Sequence, residues 1–126
     1  MDENELSEII IGNAIKVHST LGPGLLESVY EKALAYELKQ SGLSAEVQKP
    51  VSFKYQTIEF DEGFRADIVV NDKVIIEIKS VKKLEQVHFK QLLTYIKLAD
   101  KKLGLLINFN EPLLKDGIKR VINGKI

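Results

Sequence analysis

The chain has 126 residues, 44% of them hydrophobic, and its 18 basic side chains balance 18 acidic ones. That size and composition suit one compact domain with a single core spanning residues 1–126 and give no sign of disorder, while a net charge of zero forces any nucleic-acid-binding reading to rest on local patches. With no cysteine, disulfides, thiolate catalysis and cysteine-rich zinc sites are excluded. No apolar run reaches the roughly 18 residues that span a bilayer, and the acidic start Met1-Asp2-Glu3-Asn4-Glu5 is unlike a signal peptide, so a soluble cytoplasmic protein with no membrane partner is expected.

In chain order, Leu6, Ile10, Ala14 and Val17 recur at three- to four-residue spacing, which predicts an amphipathic helix over about Glu3 to Thr20. Leu21-Gly22-Pro23-Gly24 breaks it. A second helix is expected over about Leu25 to Gln40, with Leu26, Val29, Tyr30, Ala33, Leu34 and Leu38 near one face and Ser41-Gly42 as its C-terminal cap. The period then shortens. Ala45 to Gln48 and Val51 to Tyr55 alternate apolar and polar residues, as a strand does, and Pro50 suggests an edge or a bulge. Asp61-Glu62-Gly63 is expected to turn the chain into a strand Phe64 to Val70, and Asn71-Asp72 to turn it again into a strand Lys73 to Ser80. A third helix, about Leu84 to Asp100, precedes an apolar strand Leu103 to Asn108, and the tail from Glu111 to Ile122 reads as a loop and a short final element. The order ααβββαβ predicts an α/β fold with a mixed central sheet of about four strands flanked by helices.

The strands Phe64–Val70 and Lys73–Ser80 carry Asp67, Glu77 and Lys79 among Ala66, Ile68, Val69, Val70, Val74, Ile75, Ile76 and Ile78. Charges within strands that are otherwise apolar on both faces are costly unless paired or holding a metal. Glu77 and Lys79 are two residues apart and so share a face. Whether Asp67 joins them depends on the turn: a two-residue loop sets Asp67 opposite Ile76, whereas a three-residue loop sets it opposite Glu77. An odd loop or a bulge is therefore expected. The bland alternative is a set of ordinary salt bridges on a half-exposed strand. Two carboxylates would suit Mg²⁺, which prefers oxygen ligands. A metal-bound water can attack phosphorus, with Lys79 stabilising the developing charge.

Asp67 with Glu77-Ile78-Lys79 resembles the D-(x)n-ExK signature of the PD-(D/E)xK nuclease superfamily. Gly24-Leu25-Leu26-Glu27-Ser28-Val29-Tyr30 is similar to the motif of its GxxExxY branch, and Gln91-Leu92-Leu93-Thr94-Tyr95 resembles the QxxxY motif of its RecB-type members. The likeness runs from about Ile9 to Val121. It implies a restriction-endonuclease-like fold and a metal-dependent nuclease acting on nucleic acid, with DNA the expected substrate. It implies Glu27, Asp67 and Glu77 as metal ligands, Lys79 at the transition state and Gln91 as an orienting group. Tyr30, His88 and Tyr95 are accessory candidates. Where RecB-type sites usually draw a histidine from the early helices, this chain has Glu27; an all-oxygen site favours Mg²⁺ or Mn²⁺.

Each residue also has a structural reading. Glu27 is a first-turn glutamate favoured by the helix dipole, Tyr95 a core residue beside a solvated Gln91, His18 a structural histidine, and Gly22, Pro23 and Gly24 a turn rather than a phosphate loop. The lysines Lys82, Lys83, Lys90, Lys97, Lys101 and Lys102 around the third helix, and Lys115, Lys119, Arg120 and Lys125 near the end, are either a nucleic-acid contact surface or a solvated face. Two rival functions follow: a catalytically silent nuclease-fold module that binds nucleic acid or a protein partner, and a purely structural oligomer, a homodimer for example, with the acids in interface salt bridges.

Overall fold

The structure, a computed structural model, describes residues 1–126. Helices α1 (Glu3–Leu21) and α2 (Glu27–Gln40) lead into strands β1 (Ala45–Tyr55), β2 (Ile58–Val70) and β3 (Val74–Lys79), helix α3 (Gln86–Leu98), strand β4 (Leu103–Asn108), a 3₁₀ turn (Leu114–Gly117) and strand β5 (Ile118–Ile122). The sheet is mixed and has five strands in the order β1-β2-β3-β4-β5, one more than expected: the tail's final element joins β4 as an antiparallel edge. Only β3 and β4 are parallel, and α3 is the crossover between them.

Helix ends follow local chemistry. The Asp2 side chain accepts from Glu5 N at 2.8 Å while Glu5 accepts from Asp2 N at 3.2 Å, a capping box that starts α1. α2 ends in a Schellman arrangement, Leu43 N donating to Leu38 O and Gly42 N to Lys39 O, with Gly42 at φ 85 as that motif requires.

α1 and α2 cover one sheet face. Leu6, Ile10, Val17, Tyr30, Leu34 and Leu38 pack there on Ile68, Val70, Val74, Ile76, Ile78, Leu105 and Ile107. α3 covers the other, setting Leu92 and Ile96 on Ala66, Val69, Ile75 and Leu106. Burial on both faces explains why β3 and β4 read as unbroken apolar runs. No helix is long and apolar enough to cross a membrane.

Two features of the β1–β2 ribbon differ from the expected strands. The turn lies at Gln56-Thr57, and Asp61-Glu62-Gly63 sits inside β2, where the register shifts between Val51 and Phe53. The glycine signal marks this bulge: a Cβ on Gly63 would lie 2.0 Å from the Phe53 ring, so only glycine lets that ring cover the strand. The ribbon also rolls over at Asp67. Ile68 and Val70 face the α1/α2 core, yet Ala66 and Phe64 face α3, although a regular strand would put all four on one side. Opposite this step, Gln48 takes φ 51.

Candidate active site

The hairpin between β2 and β3 aligns the first two candidates. Val70 pairs with Val74, leaving Asn71, Asp72 and Lys73 as a three-residue loop whose first two members sit at φ 50 and 54, a conformation that Asn and Asp tolerate. This is the odd loop expected for a shared site. The ladder then stops after Ile68 and Ile76; one further step along the same register is Asp67 against Glu77. Beyond it the strands part, β2 continuing with β1 and β3 with β4.

At this fork the side chains stand in for the missing ladder. Asp67 N donates to Glu77 Oε2 at 2.9 Å, and Ile78 N donates to Asp67 Oδ2 at 2.8 Å. Glu77 is only 5% exposed. Burial, then the charge of Asp67, pushes its carboxyl up from 4.5 to about 8, against the Asp67 N–H and Lys79, which lower it. Burial also raises Asp67, opposed by the hydrogen bonds from Ile78 and Gln48 and by Lys79, while Glu27 adds to the rise. Lys79 is half-buried and makes no ion pair, so its ammonium is uncommitted while its field reaches both acids.

Glu27 opens α2 and is exposed. Its Oε2 accepts from Ser80 N at 3.1 Å, and Ser80 Oγ donates to Leu25 O at 2.7 Å, which ties the helix start to the end of β3. Tyr30 does not face the site. It is fully buried and stacked on Phe109 with centroids 4.5 Å apart. Its hydroxyl donates to Gly22 O at 2.6 Å and accepts from Leu25 N at 3.0 Å, so it clamps the turn that presents Glu27.

From α3, Tyr95 stacks on Phe64 at 4.0 Å. Burial first, then the charges of Glu77 and Asp67, raise its hydroxyl above the usual 10.0, which puts it within the field of the acid pair. Gln91 is exposed with its amide in no side-chain bond. His88 Nδ1 accepts from Glu85 N at 2.9 Å and so caps α3. His18 lies at 2.7 Å from Glu111 O, a structural contact. Of the lysines and arginine noted in sequence, Lys101 is paired with Asp72 and Arg120 bonded to Asn4; Lys82, Lys83, Lys90, Lys97, Lys102, Lys115, Lys119 and Lys125 lie exposed.

Three polar residues at the site escaped notice as candidates. Glu31, one helical turn after Glu27, is 9% exposed and accepts from Gln48 Nε2 through both oxygens, at 3.0 and 3.1 Å; the same nitrogen donates to Asp67 Oδ1 at 3.2 Å. Asn108 is fully buried and holds Val81 by both its N–H and C=O, pinning the chain just after Lys79. The i, i+4 spacing of Glu27 and Glu31 was a usable signal; nothing local in sequence marks Gln48.

No three His, Asp or Glu side chains converge into a cage that could hold an ion as they stand. The donor set nevertheless suits a hard divalent cation: all oxygen, partly desolvated, and carrying more acid than Lys79 offsets. A three-layer α/β fold thus splays its sheet around paired carboxylates and a lysine, a site suited to a hard cation and an anionic ligand. This chain belongs to the PD-(D/E)XK nuclease superfamily, whose model matches residues 4–121. Among curated proteins none matches significantly. A solved structure similar to this chain is that of an alkaline exonuclease (LHK-Exo) from Laribacter hongkongensis, at 14% identity and a TM-score of 0.49, covering 94% of this chain and 82% of that one.

Proposed function

We propose that residues 1–126 form a single divalent-metal-dependent nuclease domain that hydrolyses phosphodiester bonds in DNA, in the cytoplasm. The observation that carries this reading is the bracing of the two acids across the fork, Glu77 Oε2 accepting from Asp67 N and Asp67 Oδ2 from Ile78 N, with the unpaired Lys79 beside them, in a chain of this superfamily. Asp67 and Glu77 would hold Mg²⁺ or Mn²⁺, and Glu27, anchored on Ser80, is the further ligand or base. The ion, when bound, supplies charge neutralisation on the phosphate and a more acidic water.

The chain's own residues do the rest. Lys79, fixed at the end of β3 and free of ion pairs, directs its ammonium at charge developing on phosphate oxygens. Gln91 and Tyr95 share a face of α3 and orient substrate or water, Tyr95 from a position that already feels both acids. The site opens at a fork in the sheet, and a hollow of about 700 Å³ between α1 and α2 contains none of these residues; an open site suits a polymer better than a small metabolite.

The test is incubation of the purified protein with linear, circular and single-stranded DNA and with RNA, in Mg²⁺ or Mn²⁺. DNA cleavage that disappears in Lys79→Ala, with an unchanged circular dichroism spectrum, is expected. Cleavage unaffected by that substitution refutes the mechanism. Metal binding without cleavage of any substrate supports the silent binding module instead.

A further inference from the structure

We propose that Gln48, held by Glu31, is a positioning residue that fixes the carboxylate of Asp67 for the divalent ion; this rests on the metal-dependent reading above. Three observations converge on Gln48. Its backbone occupies φ 51, a left-handed conformation disfavoured for any residue with a Cβ. It does so at the step where the β1–β2 ribbon rolls from one core to the other, across from Asp67. The side chain then reaches between two acids, its Nε2 donating to both oxygens of Glu31 and to Asp67 Oδ1.

The chemistry leaves one orientation. Ionised carboxylates only accept hydrogen bonds, so the amide nitrogen, with its two protons, must face both acids and the amide oxygen must face away. Glu31 is buried and Gln48 is its sole hydrogen-bond partner, which anchors the amide at its far end. Asp67 is thereby held at both oxygens, Oδ1 by Gln48 and Oδ2 by Ile78 N, and cannot rotate about its Cβ–Cγ bond without losing one. Glu31 accepts from Gln48 and holds it in place, while its charge also reaches Glu77 and Asp67, so the Glu31→Gln variant separates the two effects. Outer partners that orient a ligand carboxylate typically change metal affinity by about 10- to 100-fold when removed.

The experiment is Mn²⁺ binding to the full chain at pH 7.5, measured by calorimetry and electron paramagnetic resonance without nucleic acid. Gln48→Met keeps length and removes the donor; Glu31→Ala removes the anchor; Glu31→Gln keeps an acceptor and removes the charge. Thermal melts accompany each. Binding weakened about 10-fold in Gln48→Met and in Glu31→Ala is expected, with Glu31→Gln within about threefold of the parent and the double variant no weaker than Gln48→Met alone. Unchanged binding in Gln48→Met overturns the proposal, as does Glu31→Gln binding as poorly as Glu31→Ala, since the charge would then act directly. If Gln48→Met does not fold, the Glu31 pair decides by itself. A parent protein that binds no Mn²⁺ removes the metal-dependent reading and this inference together. Binding by the parent that is lost in Asp67→Ala but kept in Gln48→Met removes the inference alone.

Discussion

Replacing Glu77 with glutamine probes the electrostatic state of the fork directly. Burial and Asp67 carry this carboxyl from 4.5 to about 8. Between those values the folded protein keeps a proton that the unfolded chain has released, so stability is full below about pH 4.5 and falls as pH rises toward 8. At about 1.4 kcal/mol per pH unit, the loss between pH 5.5 and 8.5 is on the order of 3 kcal/mol, and the burial-raised carboxyls of Asp67 and Glu31 tilt the profile the same way. Glu77→Gln removes the main titration and keeps an oxygen that can accept the Asp67 N–H. Urea unfolding followed by circular dichroism in EDTA should therefore show the parent losing stability across that range. The variant should match it near pH 4.5, exceed it by a few kcal/mol at pH 8.5, and retain a much shallower slope. Mn²⁺ should restore the parent at pH 8.5, because a ligand that binds only the folded state stabilises it, and should do little for the variant. A parent profile that is flat or rises with pH, or a variant with the parent's slope, would refute the reasoning.

Two further substitutions test the frame around the site. Tyr30→Phe keeps the stack on Phe109 but leaves Gly22 O and Leu25 N without their hydroxyl partner; urea unfolding at neutral pH should register a loss of about 1–3 kcal/mol, with Mn²⁺ affinity reduced as the turn before Glu27 loosens. Gly104→Ala would put a Cβ 2.8 Å from Leu92 Cγ and Cδ1, between β4 and α3, and thermal denaturation should show a destabilisation of about 1–3 kcal/mol from overpacking.

The elements with strong periodicity were legible in the sequence. α1, α2 and β4 fall within about two residues of their expected limits, since each buries one clear stripe or an uninterrupted apolar run. The odd loop at Asn71–Lys73 was legible because only that register brings Asp67 to Glu77. What escaped was long-range. Asp61-Glu62-Gly63 has the composition of a turn, and its extra residues become a bulge because β1 supplies a partner on both sides of it. β5 is short and mostly exposed, and it becomes a strand only by pairing with the edge of β4. Glu31 and Gln48 meet 17 residues apart in sequence, through a left-handed backbone that no local pattern near Pro50 announces.

The fork also explains why costly acids sit where they do. When β2 and β3 part after Ile68 and Ile76, the N–H groups of Asp67 and Ile78 lose the carbonyls a continuing ladder would offer, and an unpaired buried N–H is itself expensive. An apolar side chain at either position would leave that loss uncompensated, whereas a carboxylate at each satisfies the other strand's N–H. Such exchange satisfies the backbone and concentrates negative charge at one buried point, where burial first and the charge of Asp67 second push Glu77 toward its protonated form. A cation relieves the second problem without undoing the first only if each carboxylate has capacity beyond its N–H contact. Glu77 has it, since Oε1 makes no hydrogen bond while Oε2 takes the Asp67 N–H; Asp67 has one oxygen on Ile78 N and the other on a neutral amide, a weaker claim than a cation's. The sheet's parting thus creates both the need for two acids and the buried negative charge that the proposed divalent ion would offset.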